Sequence, residues 1–100
     1  MIVVRFKVRC QPGKVEHALG VMQDVIEPSR ALDGVVSFDI GRDINDPDTI
    51  IAIEVFADRD ALERQEALPQ VARVMAVLPG LVAAPPEATL YEAHISEAHA

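Results

Sequence analysis

The stretch from Thr49 to Leu68, TIIAIEVFADRDALERQEAL, constrains this chain more than any other. Its opening run, Thr49 to Phe56, is rich in β-branched residues and reads as a strand, with one carboxylate, Glu54, set inside it. Ala57-Asp58 turns the chain, and a helix follows with Asp58 as N-cap and Asp60 in the first turn, where a carboxylate suits the helix dipole. Glu54 and Phe56 are two residues apart and so share a face of the strand. A mostly apolar strand accepts a charge only where something pairs with it or uses it. An apolar strand running straight into an amphipathic helix must find other strands and a sheet face to bury against, which points to a mixed α and β fold.

The flanking sequence supplies those partners. Ile2 to Cys10 alternates, with Val4, Phe6, Val8 and Cys10 on one face and Val3, Arg5, Lys7 and Arg9 on the other. After the Gln11-Pro12-Gly13 turn, Lys14 to Ile26 carries Val15, Ala18, Leu19, Met22, Val25 and Ile26 at helical spacing. Pro28 is expected to stop or kink that helix, with at most a short extra turn before Asp33-Gly34. Val35 to Asp43 reads as a second strand, with Val36, Phe38 and Ile40 on one face. Asn45-Asp46-Pro47-Asp48 joins it to the Thr49 strand as a hairpin. Leu68-Pro69 ends the helix begun at Asp58, and another runs to Pro79-Gly80 with a stripe of Val71, Val74, Met75 and Leu78. Leu81 to Pro86 is a loop, and Ala88 to Ile95 the last strand.

The order is β-α-β-β-α(α)-β, a split βαβ arrangement: an α+β, ferredoxin-like fold with a four-stranded antiparallel sheet and helices on one face. It is expected to form one domain over residues 1–96, with 97–100 a frayed tail. Right-handed crossovers place the first strand between the third and fourth. On that placement Arg5, Lys7 and Arg9 are expected to share a face with Glu54, Glu92 and His94 as a ladder of opposite charges. Val3, Ile50, Ala52, Phe56 and Leu90 are expected to interleave with that ladder. Such a face is too apolar to leave in water, so a homodimer covering it is expected.

Several function classes are disfavoured. A net charge of −7 opposes binding to nucleic acid or to an anionic membrane. No long apolar span or leader pattern is present, and the single cysteine, Cys10, suits a reducing compartment, so a cytoplasmic protein is expected. The isolated glycines make no phosphate loop. His17, His94 and His99 lie far apart with no ligand spacing, so no metal site is expected. Ser29, Ser37 and Ser96 sit in no nucleophile turn.

What remains are the groups around the opening stretch. Glu54 is either a cross-strand ion-pair partner of Arg5 or Lys7, or a general base or substrate-orienting carboxylate. Phe38 and Phe56 either pack the core or line an apolar pocket. Tyr91 either satisfies its hydroxyl structurally or donates it to a substrate oxygen.

Taken together, VVRFKVRCQPGKVEHAL, then IEPSRALDGVVSFDIGRDINDPDTIIAIEVFADRDAL, then TLYEAH resemble the antibiotic-biosynthesis monooxygenase superfamily in order and spacing, from about Val3 to His94. The resemblance implies a ferredoxin-like protomer, a dimer whose sheets form an α+β barrel, and a pocket between sheet and helices. It implies a monooxygenase that needs no cofactor, neither metal nor flavin, and acts on a small phenolic, quinol or anthrone-like aromatic with dioxygen. On that reading Glu54 and Tyr91 are catalytic, and Phe38, Phe56, Gln65 and Met75 bind substrate. The chain departs from many relatives at Phe56, where they have tryptophan, and at Gln65 and Gln70, where they have histidines. With no tryptophan at all, haem degradation, another activity in the superfamily, is a poor match. The alternative is a non-catalytic dimeric ligand-binding or stress-response domain on the same fold.

Overall fold

The alternation at the start of the chain produces β1 (Ile2–Arg9), and the apolar stripe after it produces α1 (Val15–Arg30). Then come β2 (Val35–Arg42), β3 (Thr49–Phe56), α2 (Arg59–Glu66), α3 (Pro69–Val77), a 3₁₀ turn at Leu78–Gly80, and β4 (Glu87–Glu92). The computed structural model describes residues 1–98. The sheet order is β2-β3-β1-β4, with every pair antiparallel, so β1 is central beside β3 and β4. This is the expected α+β, ferredoxin-like arrangement.

The helices lie against one face of the sheet. Val8, Phe38 and Ile50 from the strands meet Val15, Ala18, Met22 and Val25 of α1 and Val74 of α3 in one buried cluster. A smaller cluster joins Ile2 and Phe56 to Ala61 and Leu62 of α2. Asp58 caps α2: its side-chain oxygen accepts from Ala61 N at 2.9 Å, satisfying a donor the helix leaves free. Pro69 begins α3 at a position where its missing N–H costs nothing.

Several sequence expectations are corrected. α1 does not stop at Pro28 but continues to Arg30. The proline sits in the last turn and removes only the bond its N–H would have made to Asp24, while Ala31 N still donates to Glu27 O at 3.1 Å. β4 ends at Glu92 rather than Ile95, and its pairing with β1 closes on Met1, whose O accepts from Ala93 N and whose N donates to Ala93 O, both at 2.9 Å. A register shift between Val35 and Ser37 turns Val36 outward, 57% exposed, and leaves Val35 to pack inward. Of the tail expected over 97–100, residues 99 and 100, including His99, lie outside the described residues.

The largest correction concerns the faces. β1 pairs with β3 in the register Val4↔Glu54 and Phe6↔Ala52, and with β4 as Val4↔Leu90 and Ile2↔Glu92. Glu54, Ile50, Ala52, Phe56, Leu90 and Glu92 therefore belong to the helix-covered face. Arg5 stands opposite Ile53 and Thr89, and Lys7 opposite Ile51 and Glu87, on the other face. The expected ladder from Arg5, Lys7 and Arg9 to Glu54 is not formed. Arg9 pairs instead with Asp46 at 3.5 Å, and Glu92 with Arg59 of α2 at 3.1 Å. Alternation within a strand yields two faces but does not say which one meets the helices; register decides that.

Candidate functional site

Between the sheet and the helices lies a cavity of about 360 Å³, within the range of small-molecule sites. Its floor is the sheet: Val4 and Phe6 of β1, Phe38 and Ile40 of β2, Ala52 and Glu54 of β3. α1 contributes Met22 and Val25, α3 contributes Val71, Val74 and Met75, and β4 closes one side with Leu90. From α2 come Leu62, Gln65 and Glu66, three residues that helical spacing puts on one face.

Glu54 is the half-buried carboxylate in this apolar space. Among the described residues no side chain hydrogen-bonds to it or pairs with it, and no lysine, arginine or histidine lines the cavity. Burial pushes its pKa up from 4.5 to about 7, and the nearby Glu66 carboxylate adds to the rise. A carboxyl poised near neutrality in a cavity can take a proton from a bound hydroxyl at ordinary pH.

Gln65 is 4% exposed and held in place: its Nε2 donates to the buried Ser29 Oγ at 3.1 Å, tying α2 to the last turn of α1. Gln70, in the first turn of α3, has its Oε1 buried without a partner among the described residues. These amides stand where the resemblance placed histidines.

Of the residues singled out from the sequence, the structure gathers Glu54, Phe38, Gln65 and Met75 around the cavity. Met75 sits at its edge, 66% exposed. Phe56 does not line it; the ring is wholly buried against Ile2, Ala61 and Leu62. Tyr91 is opposite Val3 on the other face of the sheet and is 50% exposed, so within one protomer it does not meet Glu54. Sequence reasoning missed Glu66. The signal was available, because Leu62, Gln65 and Glu66 follow i, i+3, i+4 spacing that begins on an apolar residue. Among the described residues no three histidine, cysteine or acidic groups converge as metal ligands, and no helix is long and apolar enough to cross a membrane.

Comparison with known proteins agrees with this architecture. Residues 1–77 match the family model described as antibiotic biosynthesis monooxygenase. A Synechocystis protein called uncharacterized protein sll1783 is 30% identical over 91 residues, which is 91% of this chain and 62% of that protein. The chain thus spans less than two thirds of that relative's length. Among solved structures, Rv0793 from Mycobacterium tuberculosis superposes with a TM-score of 0.87 at 22% identity, covering 98% of each chain. PA3566 from Pseudomonas aeruginosa gives 0.85 at 21% identity over 94% of each chain. A structure described as an antibiotic biosynthesis monooxygenase gives 0.85 at 21% identity, covering 95% of this chain and all of that one. These likenesses speak for the fold, and the match over residues 1–77 speaks for the lineage: the chain belongs to the antibiotic biosynthesis monooxygenase family.

Proposed function

We propose that the protein is a cofactor-independent monooxygenase acting on a small phenolic, quinol or anthrone-like aromatic, with Glu54 as the base that takes the substrate's hydroxyl or ring proton. The observation that carries this reading is Glu54 itself, facing an apolar cavity with no cation beside it among the described residues and with its pKa near 7. The deprotonated substrate gives electrons to dioxygen. One oxygen atom enters the ring and the other leaves as water with two substrate hydrogens, so the substrate supplies all the electrons and no external reductant is needed. The protein's share is to hold the ring between Phe38 and Met75, exclude water and move one proton.

The test is aerobic and anaerobic incubation with a panel of hydroquinones and anthrones, with products read by mass spectrometry under labelled dioxygen. Expected is oxygen-dependent turnover that rises with pH through about 7 and falls about 100-fold or more in Glu54→Gln. No turnover under air across the panel overturns it.

A second reading keeps the cavity and drops the chemistry: a ligand-binding domain. It is favoured by Gln65 and Gln70, since amides hydrogen-bond but do not titrate near neutrality, and by the position of Tyr91 away from Glu54. Under either reading we propose a homodimer formed through the open sheet face. That face carries Val3, Ile51, Ile53, Val55 and Tyr91 between its charges, with Ile53 38% exposed. A cytoplasmic location belongs to the same proposal.

A further inference from the structure

A second apolar groove adjoins the cavity. It lies beneath the segment 81–86 and is lined by Leu78, Pro79, Val82, Ala84 and Pro85, with a volume of about 660 Å³. Phe6, Met75 and Ala88 are walls of both spaces, so the two are neighbours across these three side chains. The segment over the groove is pinned along one side. Gln11 N donates to Leu81 O and Ala83 N to Arg9 O, both at 2.8 Å, and Gln11 Nε2 donates to Val82 O at 3.1 Å. Pro85 and Pro86 restrict its other end. This wall is therefore held in place before any ligand arrives.

The polar groups are not spread evenly over this double space. Among the described residues the groove has no charged side chain, whereas the cavity has Glu54 and Glu66, with Gln65, at the α2 end. No lysine, arginine or histidine among the described residues lines either space. An anionic head would meet two carboxylates and no compensating cation, while a hydroxyl would find an acceptor in Glu54. Met75, an unbranched and adaptable side chain, stands at the junction, where it can shift to let an apolar chain pass.

We infer that the ligand of this site is an elongated, non-anionic amphiphile, with a hydrogen-bond-donating ring hydroxyl at Glu54 and an apolar body that continues past Met75 into the groove beneath residues 81–86. This rests on the reading of the cavity as a small-molecule site and deepens it by setting the ligand's length and charge. A single aromatic ring uses only the cavity; an alkyl chain or fused ring placed opposite the hydroxyl uses both.

The test is calorimetric titration of the full chain with 4-alkylphenols from methyl to octyl, alongside the matching 4-alkylbenzoates and 4-alkylbenzylamines. Expected is a gain of about fourfold in affinity per methylene until the groove is filled, with benzoates at least tenfold weaker than phenols of equal length. Ala84→Trp, on the exposed groove wall and outside the cavity, should flatten the series for long chains and leave 4-methylphenol unchanged. Affinity independent of chain length, benzoates or benzylamines binding better than phenols, or a series untouched by Ala84→Trp would each overturn the inference. Length-dependent binding without oxidation would leave it standing and remove the monooxygenase reading. Quinol turnover with the same kcat/KM for short and alkylated substrates would do the reverse.

Discussion

Glu54 owes its behaviour to what surrounds it rather than to any bonded partner. Its carboxyl is taken out of water by Val4, Phe38 and Leu62 and faces a like charge at Glu66, so the folded pKa rises to about 7 from 4.5. A raised acid binds more protons folded than unfolded between those two values, so stability falls as pH climbs from about 4.5 to 7 and is level above. Allowing for solvent reaching the carboxyl through the cavity, ionisation costs about 2 kcal/mol. Glu54→Gln is therefore expected to raise the melting temperature by several degrees at pH 8 and to change little at pH 4.5, read by thermal denaturation at both values. Ser29 is the second informative residue. Ser29→Ala leaves the buried Gln65 amide without its acceptor, with an expected loss of about 1–2 kcal/mol in urea unfolding and weaker ligand binding, because Gln65 is then free to turn.

At the scale of elements, the site depends on α2, a helix of 8 residues that brings Leu62, Gln65 and Glu66 to the cavity. So short a helix has little stability of its own and is held by its cap and by packing. Removing the cap with Asp58→Ala should lower stability by about 1 kcal/mol and reduce ligand affinity in parallel, which titration on the folded variant measures. α2 also rests on the turn before β2, through Ala61. Gly34 has φ +85°, and a Cβ built there would lie 2.7 Å from Ala61 Cβ. Gly34→Ala is therefore expected to cost at least about 2 kcal/mol, combining a left-handed backbone with overpacking against α2, and chemical denaturation would show it. Pro28 teaches a related lesson: a proline stops a helix where its N–H matters, and in a last turn followed by Ala31 N to Glu27 O it does not.

For the whole molecule, the two faces of the sheet divide the labour. One carries the helices and the cavity; the other presents Ile53, Tyr91, Arg5 and Lys7 outward. If a second copy covers that face, Ile53→Lys should shift the chain to monomer in sedimentation at micromolar concentration, while leaving a cavity on the opposite side intact. A wild-type chain that sediments as a monomer at that concentration would remove the dimer. Tyr91 belongs to this scale rather than to the cavity, and Tyr91→Phe is expected to leave phenol affinity unchanged if the cavity is filled from its own protomer.

The element types and their order were legible in the sequence, because periods of 2 and 3.6 and the turn residues between them are local signals, and the central place of β1 followed from the handedness of the crossovers. Of the six site residues that the resemblance implied, Glu54, Phe38, Gln65 and Met75 line the cavity, while Tyr91 and Phe56 do not. The direction in which Glu54 points was not legible. Alternation placed it with Phe56, but only the pairing Val4↔Glu54 turns that face toward the helices and away from Arg5. The same register sent Tyr91 to the far face, and packing against Ile2 and Ala61 closed Phe56 into the core. Sequence determines which residues share a face of an element; which face meets which is settled by long-range pairing and packing, where each strand's register is set by its partners.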